Sequence, residues 1–152
     1  MGQFIHQDEY RWVDIADSVV AGIANSGLTS PHPPLMQGFF YIFSIFEKIF
    51  NYNNLRLIPL FFSVLCFILI YLTSLRTNSN HKVAHIAIGL FTLNIYGLIA
   101  GLQIDIDGAI LPFFVLSSYY FYSRSMVDED KRFILPLVVA IAGGFLAKES
   151  FI

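Results

Sequence analysis

Apolar residues in this chain gather into uncharged runs that lengthen toward the C-terminal half, separated by short polar breaks. Residues 1–10 are mostly polar. From there Trp12, Ile15, Val19 and Ile23 recur at helical spacing, with Arg11, Asp14, Asp17 and Ser18 turned away. That pattern predicts an amphipathic helix lying on a surface, with Asp8 at its N-cap position and Asn25-Ser26-Gly27 as its stop. Residues preceding a proline leave the α region, so the Thr29–Pro34 stretch is extended or turned, and Pro34 can open the next helix. This second helix runs to about Phe50 and carries a stripe of Phe39, Phe43, Phe46 and Phe50. It is short for a membrane span, so an interfacial or partly inserted helix is expected.

After a polar loop at 51–54, Leu57 to Leu75 is uncharged and long enough to cross a bilayer, with Pro59 near its start. A polar turn at 76–82 leads to a second crossing, Val83 to Ile104. Next comes Gln103-Ile104-Asp105-Ile106-Asp107-Gly108, two carboxylates in apolar surroundings. The Asp-Gly step predicts a tight turn there, within a short hairpin between membrane helices. Ala109 to Tyr122 is a third, short crossing with Pro112 in its first turn. A charged loop at 123–132 follows, and Phe133 to Ala147 begins a fourth crossing. The expected fold is an all-α membrane protein of multi-spanning helices, with amphipathic juxtamembrane helices in the first outer loop. Residues 1–54 form that extracytoplasmic loop, and 55–152 hold about four spanning helices.

Composition agrees. The chain is 56% hydrophobic and 13% charged, with a mean hydropathy of +0.64, whereas soluble domains carry about 25% charged residues. A net charge of −2 without a basic run leaves no electrostatic footprint for nucleic acid. The single Cys66 permits no internal disulfide, and no Cys/His zinc spacing exists. Residues 1–10 lack the basic and apolar regions of a signal peptide.

Charge also assigns the faces. The breaks at 76–82 and 124–132 share one side and hold Arg76, Lys82, Arg124, Lys131 and Arg132, so the positive-inside tendency makes them cytoplasmic. The opposite side then collects Asp8, Glu9, His32, Asp105, Asp107 and Lys148. Ionisable groups in such apolar surroundings sit at an interface or have a task. The structural alternatives are an N-cap for Asp8, a first-turn acid for Glu9, a turn residue for His32, a solvated loop residue for Asp105 and a snorkelling Lys148. Nothing ahead of residue 54 can carry that segment across a membrane, so the chain is expected to be a fragment, with a spanning helix upstream of Met1.

The order of motifs adds a resemblance. Asp8-Glu9 opens an amphipathic helix, and His32-Pro33-Pro34-Leu35 makes a turn. Arg56-Leu57-Ile58-Pro59 enters a span, Asp107-Gly108-Ala109-Ile110-Leu111 follows in a short hairpin, and Leu146-Ala147-Lys148-Glu149 ends a later helix. This arrangement resembles the N-terminal part of the GT-C class of membrane glycosyltransferases, in particular the protein O-mannosyltransferase and lipid A aminoarabinose transferase groups. The resemblance implies a polyprenyl-phosphate-linked sugar donor and a lipid, protein or glycan acceptor, met on the outer side of the cell membrane. It implies catalytic roles for Asp8 and Asp107. It places His32 and Lys148 at the lipid phosphate, with Glu9 and Asp105 as further substrate-binding positions. Where the aminoarabinose group has Glu-Lys before Pro-Pro, this chain has Pro31-His32, so a permanent cation gives way to one that titrates near neutrality.

The chemistry fits these residue types. A hydroxyl or amine attacking an anomeric carbon needs a base, which a carboxylate can supply. The departing phosphate needs positive charge. A single base with direct displacement gives inversion, for either a hexosyl or a pentosyl group. A hard divalent ion, Mg or Mn, would suit oxygen ligands from Asp8, Glu9 and Asp107. The rival classes are a transporter or channel piece, which would face its charges mid-membrane in broken helices, and a non-catalytic membrane subunit.

Overall fold

The computed structural model describes Ile42, residues 56–94 and residues 106–148, the side chains of Ile106 and Asp107 excepted. Among the described residues every regular element is helical. Helix α1 spans Leu57–Asn78 and α2 spans His81–Leu93. Helix α3 spans Leu111–Tyr122 and α4 spans Ile134–Ala147. The first amphipathic helix and the Phe39–Phe50 stripe expected from the sequence lie outside the described residues, Ile42 apart.

Prolines mark three helix starts. Pro59, Pro112 and Pro136 each fall in the first turn of their helix, where the fixed φ of proline suits the start. The α1–α2 link is only Ser79-Asn80. Ser79 takes the left-handed conformation at φ 48°, and its N–H closes α1 on the Leu75 carbonyl at 2.7 Å. Asn80 is extended and accepts from the Lys82 N–H at 2.9 Å, capping α2.

Two expectations change. The run from Val83 to Ile104 does not continue as one helix. α2 stops at Asn94, whose backbone turns extended (φ −69°, ψ 106°) while its N–H is shared between the Leu90 and Phe91 carbonyls. Its 13 residues rise about 20 Å, against a hydrocarbon core of about 30 Å. The Asp107-Gly108 step is also not a reverse turn. Ile106–Ile110 form a π-helical turn that runs directly into α3. Pro112 cannot donate back to the Gly108 carbonyl, which interrupts the regular ladder at this point.

At its other end α3 continues through a second π-helical turn, Ser123–Val127, so the charged break shrinks to Asp128–Asp130 before a 3-10 turn at Lys131–Phe133.

The four helices pack in the spatial order α2, α1, α3, α4. On α1, Ile58, Phe62, Cys66 and Leu69 form a buried stripe at spacings of four, four and three. Phe62 meets Phe113 and Phe114 at ring separations of 5.2 and 6.4 Å, and Arg76 at the far end of α1 meets Ser123, so α1 and α3 run in the same direction. Phe67 against Phe91 and Tyr71 against His85 make α2 antiparallel to α1. Phe114 over Gly143 and Phe121 stacked on Phe133 make α4 antiparallel to α3.

Among the described residues, α1 is the one helix long and apolar enough to cross a membrane. Its outer face exposes Leu60, Phe61, Val64, Ile68 and Leu72, and α4 exposes Leu135, Val138 and Val139. Surfaces of this kind suit a hydrocarbon surround better than water.

Candidate functional site

The turn that carries Asp107 is anchored from below. Ala109 and Ile110 are 3% and 1% exposed. The Cys66 thiol of α1 donates to the Ala109 carbonyl at 3.7 Å. Burying these two residues fixes the backbone of the π-helical turn, and with it the attachment point of Asp107.

Lys148 is the first residue beyond α4. Its backbone is extended, its N–H closes the helix on the Gly144 carbonyl at 2.9 Å, and the residue is half-buried. Since α3 and α4 are antiparallel, the Asp107 turn and Lys148 lie at the same end of the layer. Arg56, at the start of α1, shares that end because α1 runs with α3. Asp8, Glu9, His32 and Asp105, the other residues singled out by the sequence, lie outside the described residues. Among the described residues no three His, Cys, Asp or Glu side chains gather as metal ligands would.

The opposite end is closed by charge. Arg76 donates to the Ser123 hydroxyl at 2.8 Å and the Ser123 carbonyl at 3.0 Å. It also donates to both carboxylate oxygens of Asp128, one of them at 2.7 Å. This bidentate fork gives a geometry that a lysine could not. The Ser123 carbonyl also takes the Asp128 N–H at 3.3 Å, so the guanidinium sits where the helical ladder widens into its π-helical turn. Arg124 extends the chain of charges to Asp128 at 3.2 Å and Asp130 at 3.8 Å, and its guanidinium lies 4.7 Å from the centre of the Phe133 ring. Arg132 closes on Asp130 at 2.9 Å.

The Arg76 hydrogen bonds hold the Asp128 carboxyl below the usual carboxylate range, and those of Arg132 do the same for Asp130. Sequence reasoning used these residues only to weigh the charge of the loops and assign a face. The signal it passed over is the acidic run Asp128–Asp130 set between Arg124 and Arg132, with Arg124 and Asp128 four apart. The network does bring the two breaks at 76–82 and 124–132 to one end, as the sequence grouped them.

The two ends therefore differ in chemistry. One is locked by paired charges, and the other holds the Asp107 turn and Lys148. Searches of the curated proteins and of the solved structures gave no match. Residues 31–152 match the family model described as dolichyl-phosphate-mannose-protein mannosyltransferase. That match takes in Pro33-Pro34, the four described helices, the Asp107 turn and Lys148, and so the chain belongs to this family of GT-C class glycosyltransferases.

Proposed function

We propose that this chain is part of a multi-spanning membrane glycosyltransferase that moves a sugar from a polyprenyl-phosphate-linked donor to a lipid, protein or glycan acceptor on the outer side of the membrane. The observation that carries the reading is the family match across residues 31–152. A further support is that Asp107 sits on an anchored π-helical turn at the same end as Lys148, since such turns recur at functional sites.

In this reading Asp8 and Asp107 are the catalytic carboxylates. One takes the proton of the acceptor hydroxyl as its oxygen attacks the anomeric carbon. The bond from that carbon to the phosphate oxygen breaks, polyprenyl phosphate leaves, and the anomeric centre inverts. Lys148 and His32 offset the charge that builds on the departing phosphate. Glu9 and Asp105 hold the sugar. Asp8, Glu9 and Asp107 are the oxygen donors for a divalent ion, Mg or Mn, should the reaction use one.

The test is to incubate the full-length protein with a panel of polyprenyl-phosphate sugars and with nucleotide sugars, and to weigh the acceptors by mass spectrometry. A mass gain of one hexose or pentose from a polyprenyl-phosphate donor is the expected result. Transfer from nucleotide sugars alone would overturn the donor assignment.

A further inference from the structure

His81 and His85 stand four apart in the first turns of α2, on one face. Both rings lie beside Tyr71 of α1, with ring separations of 6.3 and 5.5 Å. Each ring is held through Nδ1. His85 Nδ1 lies 2.6 Å from the His81 carbonyl. A carbonyl can only accept, so the hydrogen bond assigns a proton to His85 Nδ1 and leaves Nε2 as the nitrogen through which the neutral ring would bind a metal. His81 Nδ1 lies 2.8 Å from the Tyr71 hydroxyl. The phenol can accept as well as donate, so this bond permits the same tautomer for His81, with Nε2 again a lone pair. Both side chains are exposed, and neither Nε2 has a partner among the described residues.

We propose that His81 and His85 form a two-imidazole binding site for a borderline divalent transition ion of the Zn, Ni or Cu class, at the α1–α2 turn. The i, i+4 histidine pair on one helix face is the spacing that zinc sites on helices use. An imidazole that binds metal through one nitrogen is usually held by a hydrogen bond from the other; His85 has that support from the His81 carbonyl, and Tyr71 is placed to give it to His81. Imidazole nitrogens select this class of ion over Mg or Ca. Two features oppose it: the positive end of the α2 dipole and the neighbouring Lys82 each lower affinity by less than roughly tenfold. The ion would fix His81 as donor to Tyr71 and so pin the start of α2 to α1. The site lies at the Arg76 end of the layer, away from Asp107 and Lys148, so it is separate from the sugar-transfer site.

The test uses untagged full-length protein in detergent, titrated with Zn²⁺ against a chromogenic chelator. The controls are His6→Gln and His32→Gln, the two other histidines of this sequence. The expected result is one Zn²⁺ bound at near-neutral pH, weakened tenfold or more in His81→Gln and in His85→Gln and unchanged in the two controls. A Cu²⁺ spectrum showing two coordinated imidazole nitrogens, reduced to one in His85→Gln, is the matching second readout. Absence of Zn²⁺ binding, or binding unaffected by His85→Gln, overturns the proposal. Neither readout depends on sugar transfer, so the result stands apart from the enzymatic reading.

Discussion

Phe114 on α3 lies with its ring edge directly over Gly143 of α4, close enough that a methyl group on Gly143 would collide with three ring carbons. Phe114 is itself buried and packs against Phe62 and Phe113, so it has little room to give way. Small residues let membrane helices approach closely, and this contact is where α3 and α4 do so. Gly143→Ala should therefore destabilise the fold by about 1–3 kcal/mol, the usual cost of overpacking. Gly89 on α2 makes the opposite case, because an added methyl meets nothing within 4 Å among the described residues. Gly89→Ala should stabilise by about 0.5–1 kcal/mol through helix propensity alone. Thermal unfolding of both variants in one detergent checks the pair. A drop in Tm for Gly89→Ala, or none for Gly143→Ala, would contradict the packing described.

The charged end should make stability depend on acid. Asp128 and Asp130 have carboxyl pKa values below their ordinary values in the folded chain, held there first by hydrogen bonds from Arg76 and Arg132. In the unfolded chain they titrate near about 3.9. Between the two values the unfolded state binds more protons, so stability falls as pH falls. The contribution is fully present above the unfolded value and is lost as pH drops through the folded one. Asp128→Asn should lower Tm at pH 7 and flatten the acid limb that begins below about pH 5. An acid limb as steep in Asp128→Asn as in the parent would remove Asp128 from the account. Arg76→Lys should recover only part of the loss, because an ammonium cannot make the two-pronged contact.

How much of this was legible in the sequence varies by element. α1 was readable because its uncharged run, its early Pro59 and its terminal Arg76 all agree. The helix outlasts that run, through Arg76 to Asn78, because the guanidinium finds partners on α3 at Ser123 and beyond it at Asp128. The stop at Asn94 was not readable, since apolar residues continue past it and composition marks no break. Asp107-Gly108 misled for a different reason. Its local preference is for a turn, but the burial of Ala109 and Ile110 and the Cys66 contact to the Ala109 carbonyl tie this backbone to α1 in a helical conformation. The candidate site was legible as an order of motifs, which is why the family emerged from sequence. Its geometry is described only at the Asp107 turn and Lys148.

Sidedness can be tested chemically. The Arg76–Asp128 contact joins the α1–α2 link and the Asp128–Asp130 break at one end, and the Asp107 turn lies at the other. Cys66 is 1% exposed and should stay silent toward a membrane-impermeant thiol reagent. With the Asp107 end outward, intact cells should label Asp8→Cys and Asp107→Cys, and leave Asn78→Cys and Glu129→Cys unlabelled until lysis. Labelling of all four from outside would remove the proposed orientation.

The last prediction separates a chemical role for Asp107 from a structural one. A turn-forming role is already excluded by the helical backbone over Ile106–Ile110, so asparagine meets no new backbone demand there. Helix propensities of Asp and Asn are close, and Asp107→Asn should leave expression and Tm near those of the parent. The amide keeps the shape but removes the proton acceptor and the negative charge. If Asp107 is a catalytic carboxylate, turnover should fall by roughly 10²–10⁴, the usual cost of a lost general base. Asp8→Asn should behave alike, since Asn caps a helix about as well as Asp. Lys148→Met should act differently, raising the KM for the polyprenyl-phosphate donor while the protein still folds, because its apolar stem keeps the contacts that a snorkelling lysine makes. Asp105→Asn should be the mildest of the set. The measurement is steady-state transfer by the full-length protein with each variant. An Asp107→Asn protein that still transfers sugar at the parental rate would leave Asp107 as a helix residue with no part in the chemistry.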